Sequence, residues 1–395
     1  MPDLFAKCAC YDEPDKYQAM GLYPYFIPIQ KVVANRAIID GRELIMVGSN
    51  NYLGLSQNET ILKAAQKGLL EYGSSTCGSR FLNGTLTIHE QLEKRLSQFM
   101  GFDDALAFST GFQTNLGVLP ALVNAEDIII ADQYVHASII DACMLSGARV
   151  VRFRHNSAQH LEKRIKAVLP ENKAIIVVVD GVYSMEGDLA ALDLIVPIVK
   201  KHGLRIFVDD AHGIGVLGAR GRGTVEHFGM LDQVDIIMGT FSKSFASLGG
   251  FVVSNSHVIK YIKHCSRPFI FSASVAPANV AAVLAALDII DAQPWRRQRL
   301  MEISQEMIRR FKSMGFDVGN TATPVIPVII GANDKTFMMW RKLMDYGVFT
   351  NPIISPAVPP NRTLIRTSYT ATITDEELDI VSSAFEKAGK ELHII

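Results

Sequence analysis

Between residues 104 and 254 the chain alternates short apolar runs with stretches of helical periodicity, and few architectures accept that rhythm. The runs fall at residues 105–108, 128–131, 150–153, 174–180, 204–209, 234–238 and 248–253. They read as buried strands, several of them ended by glycine or by an acidic residue. Helical patterns lie between them, among others at 158–168 and 192–202. Strand–helix alternation of this kind predicts an α/β fold with a mostly parallel, doubly wound sheet.

Open α/β sheets place their ligands beyond the carboxyl ends of the strands. Two such ends carry chemistry. The run at 234–238 leads into Gly239-Thr240-Phe241-Ser242-Lys243-Ser244, and the run at 204–208 ends in Asp209-Asp210-Ala211-His212-Gly213. A lysine amine that can capture an aldehyde and a carboxylate that can keep a pyridine nitrogen protonated are what pyridoxal phosphate (PLP) requires. A strand-end lysine alone reads more often as a solvated charge; the pairing with Asp209 is what points to the cofactor. Asp209, Asp210 and His212 could mimic a metal cluster, but no further ligand stands at useful spacing.

Other strand ends add weaker signals. Ser109-Thr110-Gly111-Phe112 joins a strand to a helix, an arrangement suited to an anion such as phosphate. His136, after the 128–131 run, either packs in the core or stacks on a flat cofactor. Ser184 in Gly181-Val182-Tyr183-Ser184-Met185-Glu186-Gly187 does not fit the G-x-S-x-G pattern of a hydrolase nucleophile. Glycines 218, 221 and 223, interleaved with Arg220 and Arg222, resemble a phosphate cradle, although a surface turn is the safer expectation. Arg366 follows a proline-rich loop and is either a carboxylate clamp or one half of a surface ion pair.

The 395 residues suffice for one large domain and a smaller one. The expected organisation is an N-terminal arm (1–45), a large domain (46–292) and a small α+β domain (293–395), with Gln293-Pro294 breaking a helix near the boundary. Within the arm, the aromatic segment from Gly21 to Phe26 either straps the core or lines a partner surface. Residues 37–47 suggest a hairpin turning at Asp40-Gly41. Residues 59–72 suggest a helix closed by Gly73. Residues 87–100 suggest another, with Thr87 and Glu90 as a capping box and His89 in a packing role.

Hydrophobic residues make up 48% of the chain and net charge is −1, which argues for a globular protein and against nucleic acid as a main partner. Five scattered cysteines without a C-x-x-C pair fit a reducing, cytoplasmic setting, and no metal site is expected. No apolar run reaches the roughly 18 residues of a spanning helix, so the expectation is a soluble protein, with peripheral membrane contact left open.

With these segments in place, the chain resembles the α-oxoamine synthases, PLP enzymes of aminotransferase fold type I. The motifs are Asn50-Asn51-Tyr52-Leu53-Gly54, Thr76-Cys77-Gly78-Ser79-Arg80, Ser109-Thr110-Gly111-Phe112, His136-Ala137-Ser138, Val208-Asp209-Asp210-Ala211-His212 and Gly239 to Ser244, in the family's order. Gly-Thr-Phe-Ser-Lys-Ser is similar to the lysine motif of the serine-using palmitoyltransferases of soluble bacterial type. Arg152-Phe153-Arg154-His155-Asn156-Ser157 and the segment from Cys265 to Phe271 resemble the same branch.

The resemblance implies roles. Lys243 carries the cofactor and moves the α-proton; Asp209 faces the ring nitrogen. His212, with Ser184, bonds the phenolic oxygen, and His136 stacks on the ring. Gly111, Phe112, Thr240 and Ser242 hold the phosphate, and Ser272 reaches it from the second subunit of a homodimer. Asn51 and Arg366 bind the substrate carboxylate. The implied reaction joins L-serine to a long-chain acyl-CoA with loss of carbon dioxide. Two alternatives stand beside it: a sister synthase using glycine or alanine, and a non-catalytic subunit.

Overall fold

The computed structural model describes residues 2–395. The chain packs as two compact units, one running from Asn50 to Glu302 and the other combining the residues up to Ser49 with Ile303–Ile395. The helix break at Gln293-Pro294 is present, with Pro277–Ala292 before it and Trp295–Met314 after it. The division by packing falls later, inside that second helix, and the N-terminal residues group with the C-terminal part.

The large unit is built on seven strands: β1 (Asp104–Phe108), β2 (Ile128–Asp132), β3 (Arg149–Phe153), β4 (Ile175–Asp180), β5 (Arg205–Asp209), β6 (Ile236–Thr240) and β7 (Gly250–Ser254). Their order in the sheet is β1-β7-β6-β5-β4-β2-β3. The five strands β3, β2, β4, β5 and β6 pair in parallel, while β7 runs antiparallel to both β6 and β1. Every residue of β2, β4, β6 and β7 is buried, the pattern of strands covered on both faces. This is the doubly wound sheet expected from the alternation.

Two helices matter for function. α1 (Gly111–Leu122) follows β1, and the Thr110 hydroxyl caps it by accepting from the Gln113 amide at 3.0 Å. α2 (Ala137–Ser146) follows β2, and His136 is its N-cap residue, its ring accepting from the Ser138 amide.

Three local expectations resolve differently from one another. The hairpin forms from Arg36–Ile39 and Arg42–Met46, with positive φ at both Asp40 (49°) and Gly41 (72°), as a type I′ turn demands. The helix Thr87–Met100 forms, but the Thr87–Glu90 capping box does not. Instead His89 Nδ1 accepts from the Leu86 amide at 3.0 Å while its Nε2 lies 2.8 Å from the Val275 carbonyl, so the ring does the capping. The glycine loop around residue 221 is a cradle already filled: the Glu226 carboxylate accepts from the Arg220 and Arg222 amides at 3.0 Å each.

In the smaller unit, Val325–Ile329, Leu364–Ser368 and Asn351–Ile353 form an antiparallel sheet with Leu364–Ser368 in the middle. The aromatic N-terminal segment packs on the helix Asn333–Asp345, with Tyr25 edge-on to Phe337 at 6.3 Å between ring centroids. Within its own unit the segment therefore acts as a strap.

Candidate active site

The carboxyl ends of β1, β2, β4, β5 and β6 open onto one cavity of about 280 Å3. Its wall contains Gly111 and Phe112 from α1, His136 and Ser138 from α2, Ser184 after β4, Asp209 and His212 after β5, and Thr240, Ser242 and Lys243 after β6. Ten positions scattered over more than a hundred residues converge because parallel strands all point their carboxyl ends the same way. Nine of the twelve residues singled out in the sequence, Ser138 not among them, line this wall.

Asp209 is the electrostatic centre. It is 5% exposed and is met by neutral donors: Asn115 Nδ2 at 2.7 Å on Oδ2 and the Ala211 amide at 3.1 Å on Oδ1. Beside it, Asp180 is pushed well above the usual carboxylate range by burial and then by the charge of Asp209. Asp210, next in sequence, turns away and accepts from the Thr224 amide at 2.6 Å and hydroxyl at 2.7 Å, and burial pushes its pKa up to about 7. It takes no part in a metal cluster with its neighbours, and among the described residues no group of ligands suited to a metal is assembled.

His136 faces the open cavity and is exposed to it. Desolvation holds its pKa below the ordinary histidine value, helped by the nearby Lys243 charge and opposed by Asp209. Its Nδ1 lies 2.7 Å from Ser138 Oγ, and its backbone N–H points at Asp180. His212 is held by the Tyr52 hydroxyl, 2.6 Å from Nδ1. Thr240 Oγ1 donates to the Gly249 carbonyl at 3.0 Å and lies 2.9 Å from Ser242 Oγ. A β-carbon at Gly111 would come within 2.7 Å of that Thr240 oxygen, so only glycine lets the helix amides approach the β6 loop.

Three of the residues from the sequence lie outside this wall. Ser272 Oγ accepts from Gln113 Nε2 at 3.1 Å. Asn51 Oδ1 accepts from the Leu55 amide and its Nδ2 donates to Ser56 Oγ, ordering its own loop. Arg366 belongs to the other unit, is 5% exposed, and donates to Ser368 Oγ at 2.9 Å.

The sequence reasoning missed a supporting layer. Asn115, Ser138 and Asp180 are buried and contact Asp209 or His136. A further cluster ties the loops that carry His136 and Ser184: His155 bridges Asp132 (3.1 Å) and Asp188 (2.9 Å), and Asn156 bonds both carboxylates. Burial opposes a charge on His155, but the two carboxylates outweigh it and raise its pKa to about 10.

The wall fits PLP. Helix-start amides and two hydroxyls suit a phosphate, the buried Asp209 carboxyl suits a pyridine nitrogen, and Lys243 supplies the amine. A family model described as aminotransferase class I and II matches residues 42–385, and the chain belongs to that family. Among curated proteins, the serine palmitoyltransferase of Bacteroides ovatus is 46% identical over 392 residues, covering 99% of both chains. The 8-amino-7-oxononanoate synthase of Thermoanaerobacter pseudethanolicus is 40% identical over 381 residues, 96% of both chains. Among solved structures, the serine palmitoyltransferase of S. paucimobilis, which holds a PLP–myriocin adduct, matches with a TM-score of 0.96 at 36% identity over the whole of both chains.

Proposed function

We propose that the chain is a PLP-dependent acyltransferase of the serine palmitoyltransferase type. It joins L-serine to a long-chain acyl-CoA, releasing CoA and carbon dioxide and giving 3-oxosphinganine. The observation that carries this reading is the convergence of Lys243 and Asp209 on one cavity, in a chain 46% identical to a curated serine palmitoyltransferase along its full length. Bound PLP supplies an electron-accepting ring that takes up the pair of electrons freed at the serine α-carbon.

The chain's own residues do the rest. Asp209 keeps the ring nitrogen protonated, because its neutral partners leave its charge uncompensated. Lys243 holds the cofactor and then, as a free amine, removes and returns the proton at the α-carbon. The Gly111 and Phe112 amides with Thr240 and Ser242 grip the phosphate. His212, held by Tyr52, and Ser184 would bond the ring oxygen, and His136 would cover the ring face. Asn51 and Arg366 take the serine carboxylate, which orients the α-carbon. A new bond joins that carbon to the thioester carbonyl as the carbon–sulfur bond breaks, and loss of the carboxylate completes the condensation.

Ser272 lies outside its own chain's cavity wall, which supports the reading that it serves the phosphate of a second copy in a homodimer. No helix among the described residues is long and apolar enough to cross a membrane.

The test is product mass spectrometry with palmitoyl-CoA and serine, glycine or alanine in parallel. A 3-oxosphinganine mass with serine alone is expected. Product from alanine or glycine instead would move the chain to the sister synthases while keeping fold, cofactor and lysine. Purified protein without a yellow, borohydride-bleachable chromophore would point to a non-catalytic subunit.

A further inference from the structure

Asn115 Nδ2 donates to two oxygens, Asp209 Oδ2 at 2.7 Å and Ser138 Oγ at 2.8 Å. Its orientation is fixed, since rotating the amide would set Oδ1 against the Asp209 oxygen in place of a donor. Because Ser138 Oγ accepts from Asn115, its own proton is free to be donated, and His136 Nδ1 lies 2.7 Å away. The Ser138 backbone N–H, which can only donate, points at the same Nδ1 from 3.2 Å. A nitrogen that receives two donors carries no proton.

We propose that Asn115 and Ser138 are positioning residues that turn the charge of Asp209 into a hydrogen-bond direction, holding His136 as the neutral tautomer with its proton on Nε2. The proposal rests on His136 and Asp209 being the cofactor-facing residues, and it goes beyond that reading by assigning the proton. His136 then presents a donor to the cavity, suited to an anionic oxygen of the substrate, and is not a base for the α-proton. That leaves proton movement to Lys243. All three links, Asn115, Ser138 and Asp209, are buried, so water does not compete for the relay.

The charged groups around His136 pull in opposite directions. Asp209 and Asp141 favour protonation, Lys243 and burial oppose it, and Asp180 accepts from the His136 backbone amide. The relay adds a specific penalty at Nδ1 that none of these supplies.

The test is histidine C2–H deuterium exchange by mass spectrometry, which titrates His136 individually, on the full chain with and without PLP, together with 15N shifts of labelled histidine. In the wild type, His136 should titrate below free histidine and show an unprotonated Nδ1 in both forms. Ser138→Ala should move the titration to higher pH, and Ser138→Thr, which keeps the hydroxyl, should restore it. A wild-type His136 protonated on Nδ1 overturns the proposal without any variant, as does a Ser138→Ala titration identical to the wild type. The cofactor-free measurement stands even if PLP binding itself fails, so the two readings fall separately.

Discussion

The two ends of the large sheet treat an aspartate in opposite ways. At the amino end, Asp235 just before β6 is met by Lys200 Nζ at 2.6 Å, Arg205 Nη1 at 2.8 Å and the Ile206 amide at 2.8 Å. At the carboxyl end, Asp209 is met by an amide side chain and a backbone N–H. The first arrangement neutralises its carboxylate and ties three segments together. The second fixes a carboxylate in place and leaves its charge available to a ligand, which costs folding energy and supplies function. A site is recognisable here by an electrostatic account left open.

Substitutions can break or sharpen this contrast. The largest loss is expected from Lys243→Ala, on the order of 10^3-fold or more in turnover, since both cofactor attachment and proton movement go with the amine. Its check is absorbance of the purified protein alongside turnover; a yellow variant with full turnover would remove Lys243 from the role. Asp209→Asn should lower turnover by about 10^2- to 10^3-fold while the protein still binds PLP, because a neutral amide cannot hold the ring nitrogen protonated. Gly111→Ala, forcing a methyl group against Thr240, should weaken PLP affinity by about tenfold, measured by equilibrium dialysis.

His155→Leu should change turnover only a few-fold and lower stability by about 3 kcal/mol, because it leaves the buried Asp132 carboxylate facing that of Asp188. The pH dependence has a definite sign. The folded-state pKa of about 10 lies above the unfolded value of 6.5, so the stabilisation is complete below pH 6.5 and is lost as pH rises through 10. Melting temperature against pH should fall across that window in the wild type and flatten there in the variant. Asp235→Asn should leave turnover unchanged and cost about 1–3 kcal/mol in unfolding experiments. If it impaired turnover as much as Asp209→Asn, the contrast between the two ends would fail.

Lys243 and Asp209 were legible in the sequence because each terminates an apolar run, and a strand end fixes direction without knowledge of neighbours. Asn115 and Ser138 were not legible. Each sits within the first turns of a helix, and their aim at Asp209 and His136 depends on how α1 and α2 lie against β5, a long-range outcome. His155 stood inside a recognised motif without a role, because its partners Asp132 and Asp188 come from other strand ends. The capping box at Thr87 failed for a related reason: a histidine two residues on found a carbonyl at residue 275, and a distant partner outweighed a local pattern.

The backward strand β7 also sets an order in time. It is the neighbour through which β1 joins the sheet, pairing residue 108 with residue 250. During synthesis at 5–20 residues per second, β1 and the helix start behind it wait roughly 7 to 28 seconds before their partner leaves the ribosome. The corner proposed to hold the phosphate is thus the last part of the sheet to close, and a nascent chain cannot trap a cofactor there until the lysine proposed to hold it has already been made.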